Sequence, residues 1–218
     1  MRLLELFCGT KSVSKALPDV DEVLTLDNDP KCQADVCRDI LEWDYRTYPP
    51  GYWDAIWASP PCEKYSVMNP RGKRCDRDLT HSNAVVQKTL EIIRYFQPKV
   101  WFLENPQTGM LKDQKFMSGI PFVDADYCQY SDWGYRKRTR FWTNKKTLWQ
   151  LKLCPGPLRC VNMSGKRHSR SLQSVRTKVS HRIPPDLVRA LFNGADLEPQ
   201  LVHLTPPVLP GSQVSISS

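Results

Sequence analysis

Hydrophobic residues in the first hundred positions form short runs that alternate with stretches of helical period. The runs predict strands at residues 2–7, 22–27, 54–58 and 99–104. A helix is predicted at residues 83–96, before Pro98, because apolar residues recur there at helical spacing: Val85, Val86, Leu90, Ile93 and Phe96. This alternation of strands and helices predicts an α/β fold, in which a mostly parallel sheet carries helices on both faces.

The second half of the chain shows weaker periodicity. Further strands are predicted at residues 127–130 and 139–144. After Pro184 and Pro185, a short helix is expected to turn three apolar side chains inward: Leu187, Leu191 and Phe192. Residues 145–182 mix Cys, Pro, Gly, Ser and basic residues, which predicts a small irregular insert. The predicted division is a main domain at 1–144, the insert at 145–182, a returning helix at 183–196 and a loosely ordered tail at 197–218.

The composition excludes several classes of protein. The 218 residues are 40% hydrophobic and 25% charged, which is typical of one globular domain with a small appendage. No apolar run approaches the roughly 18 residues of a membrane span. The opening MRLLELF lacks the apolar core and cleavage site of a secretory signal. We therefore expect an intracellular protein, nuclear in a eukaryote and cytoplasmic in a prokaryotic or viral setting.

The cysteines and the net charge give two further expectations. Eight cysteines are scattered without the dense spacing of a secreted disulfide scaffold, which predicts free thiols. A formal net charge of +8 favours a polyanionic partner. Many basic proteins nevertheless bind no nucleic acid specifically.

The segment LLELFCGTKSVSKAL predicts a strand, a turn of small residues at Cys8, Gly9 and Thr10, and a helix. A doubly wound sheet binds nucleotide-like ligands in the crevice at the carboxyl ends of its strands. The turn lacks the G-x-G-x-x-G pattern that allows close approach to a pyrophosphate, which favours a cofactor without phosphates. A purely structural turn between strand and helix is the alternative.

Asp27 ends the second predicted strand, where a carboxylate can accept hydrogen bonds from both hydroxyls of a ribose. The alternative role is that of a helix N-cap, because Asp27, Asn28 and Asp29 all precede Pro30. Both roles can hold if different residues take them.

The segment DAIWASPPCEKYS brings two prolines and then Cys62 to the carboxyl end of a buried strand. Prolines stiffen the backbone, so this thiol has a defined position, as a nucleophile requires. Glu104, in FLENP, ends another predicted strand, where a buried carboxylate needs a partner or a task. The pair suits attack on a pyrimidine ring. An inert packed thiol and a simple salt bridge are the alternatives.

The run YRKRTRFWTNKK interleaves basic and aromatic residues. In a strand, Arg136, Arg138 and Arg140 share one face, because side chains alternate with period two. Three guanidinium groups can bind phosphate or steady the polar edge of a base. A solvated edge strand protected by charge explains the same pattern.

Taken in order, these motifs resemble the cytosine carbon-5 DNA methyltransferases, and the resemblance runs from Leu3 to about Phe192. LFCGT is similar to the first cofactor motif, PPCEKYS to the nucleophile motif, ENP to E-N-V and YRKRTR to Q-x-R-x-R. Glu63 and Arg136 replace glutamines of these motifs, and His181, in SHRIPPDLVRAL, stands where the family has an asparagine. The insert replaces a much longer target-recognition region, so specificity is expected to be short, relaxed or supplied by a partner.

The resemblance implies a Rossmann-like methyltransferase sheet that binds S-adenosylmethionine. The implied cofactor contacts are Phe7, Cys8, Gly9, Thr10, Asp27, Asn28, Asp39, Ile40, Pro61 and His181. Within this set, Asp39 and Ile40 are implied to contact the adenine. The implied catalytic residues are Cys62, Glu104, Arg138 and Arg140. Nucleic-acid contacts are expected from Ser66, Arg71, Lys73, Arg74, Arg136, Lys166 and Arg167.

In the implied mechanism, the Cys62 thiolate adds to carbon 6 of a cytosine flipped out of double-stranded DNA. Glu104 and Arg138 stabilise the charge on the ring, and the methyl group moves from the sulfonium to carbon 5. The basic segment at residues 69–78 is expected either to close over phosphates or to be a surface loop without contact. The protein is expected to be a monomer.

Several alternatives stay open. One branch of the family methylates transfer RNA, so RNA is the rival substrate. An amino-group methyltransferase would carry an aromatic residue in place of Cys62, and an inactive DNA-binding scaffold would lack the intact set of site residues. Four residues of the insert could ligate zinc: Cys154, Cys160, His168 and His181. Their spacing matches no standard zinc finger, so no metal is predicted.

Overall fold

The computed structural model of the protein describes residues 1–66, 78–145, 151–157, 159–172, 175 and 181–193. Its main sheet has seven strands: β1 (Arg2–Leu6), β2 (Glu22–Asp27), β3 (Val36–Cys37), β4 (Ala55–Ala58), β5 (Val100–Pro106), β6 (Phe122–Asp126) and β7 (Arg138–Thr143). The strand order is β3-β2-β1-β4-β5-β7-β6. Strands β1 to β5 pair in parallel, whereas β7 runs antiparallel to both β5 and β6. The predicted mostly parallel α/β sheet is confirmed.

Helices cover both faces of the sheet, as predicted. They are α1 (Ser12–Ala16), α2 (Thr80–Phe96) and α3 (Pro185–Asn193). On one face, α2 packs Val86 and Ile93 against a core that contains Leu103. On the other face, α1 and α3 meet a second core built around Trp57 and Phe102. The sheet is therefore buried on both sides, which explains why its central strands read as continuous apolar runs.

Helix α2 starts three residues before the predicted boundary, because the polar residues at its beginning face outward. It ends where expected. Gln97 adopts a left-handed conformation with φ 47° and donates its backbone N–H to the carbonyl of Ile93. Pro98 then prevents another helical turn.

The predicted strand at residues 127–130 is wrong. The strand is β6, and a 3-10 helix at Tyr127–Gln129 follows it. Strand β6 was missed because its sequence FVDAD places two acidic residues where apolar ones were expected. Asp124 and Asp126 are satisfied by ion pairs with arginines of β7, so the strand forms despite its charge. The short strand β3 was also not predicted.

The described part of the insert at residues 145–182 has little regular structure. It contains a two-stranded hairpin of β8 (Met163–Ser164) and β9 (Arg167–His168).

Further 3-10 helices lie outside the insert, at Pro30–Cys32, Tyr45–Thr47, Met110–Asp113 and Lys115–Met117. The tail predicted from residue 197 lies outside the described residues. None of the described helices has the length and apolar character to cross a membrane.

The central strand β5 provides a test of this packing. Leu103 is fully buried against α2, so Leu103→Ala should lower the free energy of unfolding by about 2–5 kcal/mol through lost burial and a cavity. The matched control is Leu41→Ala, because Leu41 is 38% exposed, and it should cost roughly 0.5 kcal/mol or less. Urea denaturation measures both variants, and equal losses would contradict the placement of Leu103.

Candidate functional site

The site lies where the strand order reverses, between β1 and β4. From this point the chain builds β2 and β3 to one side and β5 to the other, so the loops that follow the strands diverge and leave a crevice. A cavity of about 440 Å³ occupies the crevice. Its principal lining residues are 7–10, 27–29, 59–63, Glu104, Lys137, His181 and Ile183. The volume suits a ligand the size of a nucleoside.

The turn after β1 is held in a strained conformation. Phe7, Gly9 and Lys11 have φ values of 58°, 48° and 54°. For a residue with a side chain, this left-handed region costs roughly 1–2 kcal/mol. The turn is fixed from beneath, because the Cys8 N–H donates to the Leu26 carbonyl at 3.1 Å. Strain of this kind persists where the surrounding structure enforces it, and it presents the turn backbone to the cavity.

Glu5 is a buried carboxylate that the sequence motifs did not identify. It lies on β1, is 2% exposed, and accepts hydrogen bonds from the N–H groups of Val13 and Ser14 at 3.3 and 3.0 Å. These N–H groups belong to the first turn of α1, which otherwise lacks a side-chain cap. Burial raises the pKa of Glu5, although these hydrogen bonds act in the opposite direction. Glu5 therefore anchors α1 and also lines the cavity.

Asp27 and Asp29 divide the two roles that the sequence suggested. Asp27 Oδ2 accepts the Gly9 N–H and Oδ1 accepts the Asp29 N–H, both at 2.9 Å. Asp29 caps the 3-10 helix by accepting the Lys31 N–H at 2.9 Å. Asp27 thus joins the ends of β1 and β2 and lines the cavity, while its neighbour serves as the helix cap.

Cys62 reaches the cavity through a fixed turn after β4. Asn105 Nδ2, on β5, donates to the Pro60 carbonyl at 3.0 Å and ties this turn to the neighbouring strand. Burial raises the pKa of the Cys62 thiol to about 11. The positive charge of Lys137 opposes this shift, and the carboxylates of Glu104 and Glu63 add to it.

Glu104 shares this cavity with Cys62 and is 6% exposed. Its Oε1 accepts from Lys137 Nζ at 3.3 Å and from the Tyr127 hydroxyl at 3.4 Å. Burial lowers the pKa of Lys137, but the charge of Glu104 outweighs this effect and the net pKa is raised. Lys137 therefore remains an ammonium ion. The cavity holds a thiol, a carboxylate and a buried cation together.

Comparison with known proteins identifies the family of this chain. The family model for C-5 cytosine-specific DNA methylase matches residues 1–117. A probable DNA (cytosine-5)-methyltransferase of Frog virus 3 (isolate Goorha) is 37% identical, over 88% of this chain and 99% of the relative. The chain belongs to the C-5 cytosine-specific DNA methylase family. The resemblance drawn from the sequence motifs is confirmed.

Two solved structures are similar to this methylase. The Dnmt2 methyltransferase of S. pombe has a TM-score of 0.47 and 16% identity, over 67% of this chain and 52% of that one. A putative DNA modification methyltransferase from a prophage of E. coli has a TM-score of 0.47 and 14% identity, over 79% of this chain and 53% of that one. The methylase spans about half the length of each.

The structure corrects the placement of Arg138 and Arg140. Glu104 pairs with Phe141 across β5 and β7, so Lys137 shares the face of Glu104, whereas Arg138 and Arg140 take the opposite face. There, Arg138 pairs with Asp126 at 2.7 Å and Arg140 with Asp124 at 2.8 Å. The predicted common face of these arginines exists, but it does not contain Glu104.

Asp39 and Ile40, which the resemblance placed at the adenine, do not line the cavity. Ile40 is 2% exposed and packs into the core on the α2 face, because its side chain is apolar. The Asp39 carboxylate accepts the Leu41 N–H at 2.9 Å and stabilises a local turn. The remaining predicted cofactor residues line the cavity: Phe7, Cys8, Gly9, Thr10, Asp27, Asn28, Pro61 and His181.

The predicted nucleic-acid contacts differ in exposure. Arg136, Lys166 and Arg167 are exposed, the latter two in the β8–β9 hairpin. Ser66 is partly buried. Three further predicted contacts lie outside the described residues: Arg71, Lys73 and Arg74.

Sequence reasoning missed Lys137 and Tyr127 as partners of Glu104. Lys137 belongs to the basic motif, but the motif alone does not say whether its odd-numbered or its even-numbered side chains share a face of the sheet with Glu104. Tyr127 was assigned to a strand, whereas it begins a 3-10 helix at the end of β6. One signal in the sequence did point to Lys137: Thr139 and Phe141, two and four residues later, are buried, so Lys137 continues a row of alternate buried side chains.

The contact between Lys137 and Glu104 gives a testable effect on Cys62. The positive charge of Lys137 lowers the pKa of Cys62, so Lys137→Met should raise this pKa. At a pH below about 11, iodoacetamide should alkylate Cys62 roughly three- to tenfold more slowly in Lys137→Met than in the unchanged protein, because a smaller fraction of the thiol is ionised. Peptide mass spectrometry resolves Cys62 from the other cysteines.

The matched control for this experiment is Lys115→Met, because Lys115 is exposed and lies outside the cavity. Its alkylation rate should equal that of the unchanged protein. In both proteins the rate should rise about tenfold per pH unit below the Cys62 pKa. An unchanged rate in Lys137→Met would show that the ammonium does not act on the thiol.

Proposed function

We propose that this methylase transfers a methyl group from S-adenosylmethionine to carbon 5 of cytosine in DNA, with Cys62 as a covalent nucleophile. The observation that carries the proposal is the common cavity of Cys62 and Glu104 at the ends of β4 and β5. The cavity also contains Asp27 and the turn after β1. A methyl donor bound at the turn after β1 would therefore lie next to a pyrimidine bound at Cys62 and Glu104.

The residues of the cavity fit S-adenosylmethionine. A methyl group on a positively charged sulfur is the chemistry that this donor supplies. Asp27 would accept hydrogen bonds from the ribose hydroxyls. The turn at Gly9 would lie against the donor, because the space beside its Cα is open: a Cβ there would meet no protein atom closer than 4.0 Å. The absence of a pyrophosphate fingerprint in this turn suits a nucleoside without phosphates.

Cys62 would activate the base. Carbon 5 of cytosine is a poor nucleophile until a thiolate adds to carbon 6, which places electron density on carbon 5. In the free site the Cys62 thiol is mostly protonated at neutral pH, because its pKa is about 11. The Lys137 ammonium favours the thiolate, so the two side chains act together.

Glu104 would stabilise the charge that develops on the ring. A carboxyl group that shares a proton with ring nitrogen 3 draws electron density away from carbon 6 during the attack. Lys137 takes the supporting position that the sequence assigned to Arg138, since it is the cation in contact with Glu104. After the methyl group binds carbon 5, loss of the carbon 5 proton and departure of Cys62 restore the aromatic ring.

The target base must leave the duplex to reach this cavity, at a cost of a few kcal/mol. Exposed basic side chains at Arg136, Lys166 and Arg167 support a phosphate-binding surface. The net charge of +8 is consistent with attraction to DNA.

The covalent step can be tested with Cys62→Ser. This variant should lose methyl transfer from labelled donor to duplex DNA by a factor of about 10³ or more, because serine is not ionised at neutral pH. Cys37→Ser is the matched control, since Cys37 is exposed and does not line the cavity. It should keep full activity.

The same assay separates the possible substrates. Duplex DNA and total transfer RNA are offered side by side, and we expect methylation of the DNA. Transfer to RNA alone would overturn the choice of substrate but keep the chemistry. A fully active Cys62→Ser protein would exclude the covalent mechanism.

Donor binding can be tested separately by calorimetry in the absence of DNA. Asp27→Ala should weaken the affinity for S-adenosylmethionine roughly 10- to 100-fold, because hydrogen bonds from the ribose to a charged acceptor are lost. The control Asp19→Ala removes an exposed carboxylate that is not part of the cavity and should bind normally. Equal affinity in both variants would remove Asp27 from the donor site.

A further inference from the structure

A second cluster of reactive side chains lies at the edge of the main sheet, outside the cavity. It contains Cys128, Cys154, Cys160 and His168. Cys128 follows β6 in the 3-10 helix, the next two cysteines belong to the insert, and His168 lies on β9. The four potential ligand atoms all lie within 4.8 Å of one another. Folding therefore gathers three thiols and an imidazole that are far apart in sequence.

The spacing of these atoms fits a tetrahedral metal ion. His168 Nε2 lies 3.6 Å from the sulfur atoms of both Cys154 and Cys160. Zinc bonds of about 2.3 Å to sulfur and 2.0–2.1 Å to nitrogen, at a tetrahedral angle, separate such atoms by about 3.6 Å. None of the three cysteines forms a disulfide. Three thiolates with one imidazole are a ligand set of structural zinc sites.

We propose that Cys128, Cys154, Cys160 and His168 form a structural zinc site that fastens the insert to the edge of the sheet. Four protein ligands complete the coordination of zinc and leave no position for a reacting water, which is typical of a structural site. His181, which the sequence grouped with these residues, lines the cavity instead. Cys128 takes its place.

Side chains around the cluster support the ligands. Gln129 Nε2 donates to the sulfur atoms of Cys160 and Cys128 at 3.4 and 3.6 Å, which would stabilise thiolates. Asp126 Oδ2 accepts the Cys154 N–H at 2.8 Å, and Arg138 pairs with the same carboxylate. The ion pair between Arg138 and Asp126 therefore positions a ligand-bearing segment.

The insert packs Leu151, Leu172 and Val175 on the second core, but the segment that carries Cys154 and Cys160 exposes its own apolar side chains. Val161 is 95% exposed and Leu153 is 47% exposed. Asn162 contributes a polar contact, since its Nδ2 donates to the carbonyls of Cys128 and Ser131 at 2.7 and 2.8 Å. A metal ion supplies the cross-link that a small unit cannot obtain from hydrophobic packing. It also fixes the β8–β9 hairpin, which carries Lys166 and Arg167.

The direct test is metal content of the full chain, purified under reducing conditions and measured by mass spectrometry without donor or DNA. We expect one zinc ion per chain, and replacement by cobalt should give the visible absorption bands of tetrahedral thiolate coordination. Cys160→Ser and His168→Ala should lose the metal, whereas His168→Cys should retain it. Cys37→Ser is the matched control and should keep one zinc ion, because Cys37 is exposed and remote from the cluster.

A second measurement covers variants that fail to fold. In the unchanged protein, zinc should protect Cys128, Cys154 and Cys160 from alkylation as a group while Cys37 reacts, and a chelator should abolish this protection. Equal alkylation of all four cysteines in the presence of zinc would overturn the proposal. So would unchanged metal content in both ligand variants, or a disulfide within the cluster. These readouts do not depend on methyl transfer, so the zinc site and the proposed function can fail separately.

Discussion

The buried ion pair between Glu104 and Lys137 is the contact on which the site depends. Each charge is nearly removed from water, which is costly for an isolated ion, and their mutual attraction offsets part of this cost. Breaking such a pair typically costs roughly 3–5 kcal/mol. The same two charges act on Cys62 in opposite directions, so the thiol responds to any ligand that changes the charge of Glu104. Structure and reactivity thus depend on one contact.

The antiparallel strand β7 makes this ion pair possible. Strand β7 lies between β5 and β6, and its side chains alternate between the two faces of the sheet, so each face meets different partners. One face brings Lys137 to Glu104, and the other brings Arg138 and Arg140 to the carboxylates of β6. A shift of one residue in its register would exchange these faces and remove the cation from the cavity. The ladder of arginine and aspartate pairs therefore supports the site by fixing the register.

The central part of the molecule could be predicted from sequence because burial leaves a clear pattern there. Strands β1, β2, β4 and β5, helix α2 and the turn holding Cys62 follow apolar runs and prolines that local physics explains. Asp27, Cys62 and Glu104 lie at or near the carboxyl ends of such strands, which is why their common cavity was foreseeable. The side chains of β7 that share a face of the sheet with Glu104 could not be foreseen, since basic residues occupy both faces of this strand. Strand β6 was hidden because acidic residues, balanced by partners distant in sequence, replaced apolar ones.

The edge of the sheet shows how distant residues can carry one function. Asp126 is fully buried and accepts both the Arg138 guanidinium and the Cys154 N–H, so a strand of the main sheet and the insert share one carboxylate. Tyr127 and Cys128 follow it directly, the first reaching Glu104 and the second joining the thiol cluster. Three consecutive residues thus connect the insert, the cluster and the cavity. A distortion of this segment would reach the Tyr127 contact with Glu104 without altering any residue of the cavity, so order in the insert and geometry at Glu104 are coupled.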